Sequence, residues 1–116
     1  MQEILDENDI VYYKNITIKG VKSDYDFIIV LNKKLYALEV KNHKFLNRKS
    51  LKTITGKLSY KCKKLYEYIY DFNPQTKYKY VEGLVISING KFKKGEYLKE
   101  IFSLDDFRQY LQKYNY

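Results

Sequence analysis

Short apolar segments separated by polar residues dominate the first forty residues of the chain, and they predict β-strands. Residues 9–18 (DIVYYKNITI) are rich in β-branched and aromatic side chains, which favour a strand. Two further strands are predicted over 25–31 (YDFIIVL) and 35–41 (LYALEVK), and the polar segment 32–34 between them suits a tight hairpin turn. Residues 2–8 have room for one or two helical turns.

The pattern changes to helical spacing after residue 50. Apolar residues then recur at steps of three and four, which marks one stripe of a long helix, and Pro74 ends that helix. The stripe consists of Leu51, Ile54, Leu58, Cys62, Leu65, Ile69 and Phe72. Residues 80–88 (YVEGLVISI) predict a fourth strand, and residues 90–95 form a basic loop without a clear structural pattern.

A final helix is predicted to begin after Ser103, because Ser103 and Asp106 match a capping box. Its apolar face comprises Phe107, Tyr110, Leu111 and Tyr114. The element order is therefore α-β-β-β-α-β-α, with no internal repeat or linker. This order favours a single mixed α/β domain over residues 1–116, which is about the size of one domain.

The predicted hairpin carries three charged residues on one face. A two-residue turn at 32–33 sets Asp26 opposite Glu39, and Lys41 follows on the same face two residues later. Directly opposed side chains on paired strands have Cβ atoms about 4.5–5.5 Å apart, so two carboxylates there destabilise the sheet unless something compensates. A divalent cation would compensate, and the pattern therefore predicts a metal site.

Both faces of this hairpin are also apolar, which is typical of central strands covered by other elements. One face carries Ile28, Val30, Leu35 and Ala37 beside the charges, and the other carries Phe27, Ile29, Leu31, Tyr36, Leu38 and Val40. The charges thus lie at the rim of a buried layer, where unpaired charges are costly. The alternative is a solvated hairpin face that happens to carry Asp, Glu and Lys.

The charge balance of the chain indicates a polyanionic partner. There are 22 Lys and Arg residues against 14 Asp and Glu, which gives a formal charge of +8. Nucleic acid is the first expectation and an anionic membrane surface the second. The single cysteine, Cys62, and the single histidine, His43, exclude an intramolecular disulfide and a cysteine-rich zinc or iron–sulfur site. Without a signal peptide or a long apolar run, a cytoplasmic protein with no membrane association is expected.

The residue types suit phosphodiester hydrolysis. Mg²⁺ prefers one or two carboxylates together with water and phosphate oxygens, so Asp26 and Glu39 are the expected metal ligands. The backbone carbonyl of Val40 offers a third oxygen. Lys41 is placed to orient the attacking water or to offset charge on the phosphorane. The expected cofactor is Mg²⁺, with Mn²⁺ as a substitute.

The spacing of Asp26 and the Glu39-Val40-Lys41 triplet, within apolar strands, resembles the PD-(D/E)XK nuclease superfamily. The small size and the spacing look most like archaeal-type Holliday junction resolvases, and the resemblance covers about residues 20–42. It implies a restriction-endonuclease-like fold, in which helices flank a mixed central sheet. It also implies a homodimeric, Mg²⁺-dependent enzyme that cleaves four-way DNA junctions.

The resemblance further implies an acidic residue on the N-terminal helix. Glu3 lies 23 positions before Asp26, about where these resolvases have a catalytic Glu, and Glu7 is the alternative. The chain departs from the family in two places. Its first helix has room for two turns at most, and Tyr25 stands where the family has Pro.

A basic segment follows the motif and is expected to contact phosphate backbones. Lys57, Lys61 and Lys64 are placed on one face of the long helix, opposite its apolar stripe. The full set of expected nucleic-acid contacts is His43, Lys44, Arg48, Lys49, Lys52, Lys57, Lys61 and Lys64. The alternative for each of these residues is an ordinary solvated position.

The sequence therefore predicts a metal-dependent DNA endonuclease, with branched DNA as the specific expectation. Two alternatives remain open. One is a restriction-type or other nuclease acting on linear or single-stranded DNA, and the other is a non-catalytic DNA-binding protein of the same fold. The richness in Tyr, Lys, Asn and Ile fits an AT-rich genome, viral or archaeal.

Overall fold

The computed structural model describes residues 1–31, 33–42, 48–78, 80–88 and 101–114. The helices and strands over these residues follow the sequence pattern closely. Their bounds are α1 (Gln2–Glu7), β1 (Val11–Ile16), β2 (Tyr25–Leu31), β3 (Lys34–Lys41), α2 (Arg48–Phe72), β4 (Val81–Ser87), β5 (Ile101–Ser103) and α3 (Leu104–Tyr114). The basic loop predicted over residues 90–95 lies outside the described residues. Within the described part, every helix is too short or too polar to traverse a lipid bilayer.

The strands form one mixed sheet in the order β1-β2-β3-β4-β5. β1, β2 and β3 pair antiparallel, whereas β3, β4 and β5 pair parallel, with α2 connecting β3 to β4. The predicted α/β class with a mixed sheet and flanking helices is confirmed. The predicted element order was one strand short, because β5 has only three residues and such a run shows no readable alternation.

The hairpin register is the one predicted. Leu31 pairs with Lys34, and the pairing continues outward to Phe27 and Leu38. Lys33 has φ 63°, in the left-handed region that two-residue hairpin turns favour. β2 and β3 each have a neighbouring strand on both sides in the sheet. The charged residues at the end of this hairpin therefore lie on central strands and not at an edge of the sheet.

Two apolar clusters cover the two faces of the sheet. On one face, α1 and α3 pack over Ile29, Leu31 and Leu38 through buried residues such as Leu5 and Phe107. On the other face, α2 packs over the second cluster, in which Ile28, Leu35, Ala37 and Val85 meet Leu58, Cys62 and Leu65. The prediction that the hairpin is apolar on both faces is confirmed, and the α2 face is the one that Glu39 shares.

In β1 and β2 the side chains stop alternating between the two faces of the sheet at one place, near Asn15 and Asp26. Asn15 has φ 54°, a left-handed conformation that Asn tolerates better than most residues. Tyr12 packs on the α1 side of the sheet, yet Ile16, four residues later, packs on the α2 side. On β2, Tyr25 likewise joins the α2 side although Phe27 belongs to the α1 side. This local twist carries Tyr25 under α2, beside the predicted site.

Helix α2 approaches the sheet closely at Gly83 on β4. A Cβ atom built at this glycine would lie 2.7 Å from Leu58 Cγ and 3.1 Å from Cys62 Sγ. Leu58 is buried, so its side chain has little freedom to move away. The missing side chain of Gly83 therefore sets how close α2 lies to the strands that carry the charged residues.

We expect Gly83→Ala to destabilise the protein by about 1–3 kcal/mol, because the added methyl group would overpack the contact with Leu58. The measurement is the free energy of unfolding in urea, with circular dichroism as the signal.

The matched control is Gly56→Ala on α2. A Cβ atom at Gly56 meets nothing within 4 Å, and the residue is exposed. Alanine in an exposed helix interior should stabilise the protein by up to about 1 kcal/mol. Equal effects of the two substitutions would contradict a close packing contact at Gly83.

Candidate functional site

The predicted charged residues meet where β2 begins and β3 ends. Glu39 and Lys41 flank Val40 on β3, and Val40 packs against the cluster on the α1 side. Lys41 Nζ lies 3.9 Å from Glu39 Oε2, and the two side chains are 32% and 12% exposed, respectively. The backbone carbonyl of Lys41 accepts a hydrogen bond from the amide of Ile88, just beyond β4. This bond holds the end of β3 against the neighbouring strand.

Asp26 caps the end of the β2–β3 ladder. The last residue pair of that ladder is Phe27 with Leu38, and Asp26 and Glu39 lie one step beyond it. There the backbone amide of Val40 donates to Asp26 Oδ2 at 2.9 Å. The carboxylate of Asp26 thus replaces a ladder acceptor for β3, at the residue next to Glu39.

Lys61 reaches the carboxylate of Glu39 from helix α2. Its ammonium group donates to Glu39 Oε1 and, at 2.5 Å, to the backbone carbonyl of Asp24. The same nitrogen lies 4.7 Å from the centroid of the Tyr25 ring, over its face. Lys61 is only 5% exposed. Glu39 therefore has a lysine at each oxygen, one buried and one partly exposed.

Tyr25 completes this contact between β2 and α2. Its hydroxyl donates to the backbone carbonyl of Lys61 at 2.7 Å, while its ring supports the Lys61 ammonium. Burial, the largest cause, raises the pKa of Tyr25 to about 12. The phenol is therefore protonated at neutral pH and acts as a hydrogen-bond donor that fixes α2 over the site.

The predicted placement of Lys61 on the solvated face of α2 is wrong. Lys61 is three residues after Leu58 and four before Leu65, and both leucines belong to the buried stripe. Residues at these spacings are neighbours on a helix surface, so the position borders the stripe and the side chain turns inward. That spacing was the sequence signal that identifies Lys61 as part of the site.

The other basic residues are distributed differently. Lys49, Lys52 and Lys57 are exposed on α2, as expected for a surface that contacts phosphates. Lys64 is partly buried. Its Nζ lies 3.4 Å from Glu67 Oε2 and over the face of the Tyr60 ring. His43 and Lys44 lie outside the described residues, as does the side chain of Arg48.

Glu3, the further acidic residue expected at the site, lies on α1, and its role there stays a prediction. Its neighbours Ile4 and Leu5 anchor α1 to the face of the sheet opposite α2, and Glu3 itself is exposed. Glu7, the alternative, is also exposed on this helix.

The donor chemistry fits a hard divalent cation. Two carboxylates, Asp26 and Glu39, lie at adjoining strand ends, and Mg²⁺ takes one or two carboxylates together with water and phosphate oxygens. In the described part of the chain, no cluster of three or more His, Cys, Asp or Glu side chains converges to form a fuller set of ligands. A cation at Glu39 must also share that carboxylate with Lys61 and Lys41.

Comparisons with known proteins do not assign a family to this chain. Comparison with protein-family models, with curated proteins and with solved structures gives no match for this chain. The assignment of a function therefore depends on the geometry and charges at this end of the sheet.

We expect Lys61→Met to destabilise the protein by about 3–5 kcal/mol, because it leaves the carboxylate of Glu39 without its buried partner. In a Glu39→Gln background, the same substitution should cost almost nothing, since no carboxylate is left unpaired. Urea unfolding of the four proteins in this double-mutant cycle measures the coupling.

Lys63→Met is the control, because Lys63 is exposed on the same helix. Its effect should stay within about 0.5 kcal/mol. If Lys61→Met cost the same with and without the Glu39 carboxylate, Lys61 would stabilise the fold by packing alone.

Proposed function

We propose that the protein is a metal-dependent nuclease with a restriction-endonuclease-like fold of the PD-(D/E)XK type. The observation that carries the proposal is the meeting of Asp26, Glu39 and Lys41 at one end of a central hairpin that is apolar on both faces. A sheet interior is a costly place for charge, so such a group needs a compensating partner. In the proposed reaction a cation bound together with a phosphodiester supplies it, beside the lysines that already contact Glu39.

Asp26 and Glu39, with the backbone carbonyl of Val40, would hold Mg²⁺ or Mn²⁺. When bound, the metal supplies Lewis acidity at a phosphate oxygen and lowers the pKa of a water molecule. The chain's own contribution is positional. Asp26 is fixed by the Val40 amide at 2.9 Å, and Glu39 is fixed between two lysines. Carboxylates held this firmly need little rearrangement during the reaction.

Lys41 is the catalytic lysine of the proposal. It is 32% exposed and lies next to Glu39, so its ammonium can contact a phosphate that approaches from solvent. There it would offset the negative charge that builds on the phosphorane and orient the attacking water. Lys61 is unsuited to this role, because it is buried against Tyr25 and Asp24.

The proposed substrate is DNA. The formal charge of +8 favours a polyanion, and Lys49, Lys52 and Lys57 are exposed on the helix that crosses the site. Contacts with phosphates position a protein on DNA without reading the bases, so these lysines favour recognition of DNA shape through its backbone. A branched duplex such as a four-way junction, cut by a homodimer, is the specific form of the proposal.

A non-catalytic nucleic-acid-binding protein is the second candidate. It is favoured by the fact that the chain already satisfies both carboxylates, Asp26 with the Val40 amide and Glu39 with Lys61 and Lys41. A degenerate site of this kind would bind DNA without needing a metal. A nuclease acting on linear or single-stranded DNA differs from the first candidate only in its substrate.

We expect Mg²⁺-dependent cleavage that falls by roughly 10²-fold or more in Asp26→Asn, Glu39→Gln and Lys41→Met, because the first two lose a metal ligand and the third loses the charge that stabilises the transition state. The assay uses matched, labelled four-way-junction, linear-duplex and single-stranded DNA. Paired, symmetric cuts in the junction would establish a resolvase, and cuts only in the other substrates would establish a different nuclease.

Asp105→Asn is the matched control for these carboxylate changes. Asp105 is exposed in the first turn of α3, on the opposite side of the sheet, so activity should be unchanged. Tight DNA binding without cleavage under any metal condition would reject the nuclease and support the second candidate.

We also expect Lys49→Gln, Lys52→Gln and Lys57→Gln to weaken DNA binding. Each lost phosphate contact should reduce the slope of log affinity against log salt by about 0.9. Fluorescence anisotropy over a series of KCl concentrations measures this slope. Lys113→Gln, exposed on α3, should leave it unchanged, and equal effects of all four substitutions would contradict a binding surface on α2.

A further inference from the structure

The proposed nuclease uses Asp26, Glu39 and Lys41 but gives no role to Lys61, the buried lysine of α2. We propose that Lys61 is an internal competitor of the metal. Its ammonium group neutralises Glu39 while no metal is bound and leaves that carboxylate when a divalent cation binds. This inference rests on the proposed function, because it concerns the metal site of that nuclease.

The contacts of Lys61 are those of a cation seated in a small binding site. A lysine ammonium has three N–H donors. Two of them are used by Glu39 Oε1 and the carbonyl of Asp24, and the face of the Tyr25 ring lies 4.7 Å from the nitrogen. A carboxylate oxygen, a carbonyl oxygen and an electron-rich ring are together a favourable environment for a positive charge.

A metal ion and this ammonium cannot both bind Glu39 Oε1. Two cations that share one carboxylate oxygen lie within a few ångströms of each other, and water screens their repulsion poorly where Glu39 is only 12% exposed. Either the ammonium or the metal therefore occupies that oxygen. The exchange is a competition between two charges for one acceptor.

Lys61 can leave Glu39 without leaving the site. The Asp24 carbonyl and the Tyr25 ring belong to β2 and the turn before it, whereas Glu39 belongs to β3. A small rotation about the flexible lysine stem separates the ammonium from β3 while its contacts with Asp24 and Tyr25 remain. The hydrogen bond from the Tyr25 hydroxyl to the Lys61 carbonyl is a backbone contact and does not change.

Lys41 provides an internal comparison at the same carboxylate. It lies 3.9 Å from Glu39 Oε2 and is 32% exposed, so water competes with this pair more strongly than with the buried one. Removing Lys41 should therefore change the affinity of the metal site less than removing Lys61. The two lysines at Glu39 therefore have different roles: Lys41 contacts the phosphate, and Lys61 competes with the metal.

Competition by Lys61 has a functional consequence. It weakens the binding of a metal to the free protein, so the site fills best when substrate phosphate oxygens add further ligands. In the absence of substrate, Glu39 keeps a partner and the apolar layer around it stays intact. Metal binding and DNA binding are then coupled, and each strengthens the other.

The test measures metal binding in the absence of DNA. Isothermal titration calorimetry with MgCl₂ and with MnCl₂ is carried out on the wild type, Lys61→Met, Lys61→Gln and Lys41→Met. We expect both Lys61 variants to bind the metal about tenfold tighter or more than the wild type, because a cation at about 4 Å has been removed. Lys41→Met should show a smaller change.

Thermal unfolding with and without the metal gives a second readout. The gain in Tm on adding Mg²⁺ should be larger for the Lys61 variants than for the wild type, because the metal replaces the missing ammonium at Glu39. A Lys61 variant that is unfolded alone and folds on adding Mg²⁺ supports the proposal for the same reason. A pair of variants that stays unfolded in excess Mg²⁺ overturns it, because the metal then fails to replace the ammonium.

The remaining outcomes separate this inference from the proposed function. Binding of the metal by the wild type, with equal or weaker binding by the Lys61 variants, overturns the competition and leaves the nuclease standing. Absence of metal binding in the wild type and in all variants overturns both, and supports a DNA-binding protein in which Lys61 is a permanent partner of Glu39.

Discussion

A carboxylate at the edge of an apolar layer must be neutralised, and the arrangement of this protein follows from that requirement at Glu39. Glu39 is 12% exposed and shares the α2 side of the sheet with Ala37 and Leu35. Lys61 meets the requirement from α2, and Lys41 adds a weaker contribution from β3. The position of α2, the contact of Tyr25 with its backbone and the charged end of the sheet are thus one connected structure. A helix that packed elsewhere would leave the carboxylate without its buried partner.

Much of this fold could be predicted from the sequence because its strands carry strong patterns. The bounds of β2 match those predicted, and the hairpin register follows from the two-residue turn. The final helix begins where the capping residues indicate, and the Asp106 amide donates to Ser103 Oγ at 3.1 Å. β1 is shorter than predicted, since Asp9 has φ 54° and cannot extend the strand. Local signals were sufficient wherever local interactions decide the structure.

The site was predicted only in part, for a physical reason. Asp26, Glu39 and Lys41 lie on two adjacent strands, where register alone relates them. Lys61 lies 22 residues after Glu39 and meets it only because α2 crosses back over the sheet. The charge of a lysine favours a position on the solvated face of a helix. The helical spacing of Lys61 from Leu58 and Leu65 instead favours a position at the border of the buried stripe. Tertiary packing decided between these two readings.

The close approach at Gly83 limits how the length of this chain can vary. It locks Leu58 and Cys62 onto β4, and Lys61 lies between them in the sequence. Each residue of an α-helix turns the next one by about 100° and advances it by about 1.5 Å. A single insertion or deletion between residues 58 and 61 would therefore turn Lys61 and Cys62 away from the sheet while Leu58 stays in place. Insertions between β3 and α2 or between α2 and β4 carry no such penalty, so homologous chains should vary in length there and keep the spacing from Leu58 to Lys61 constant.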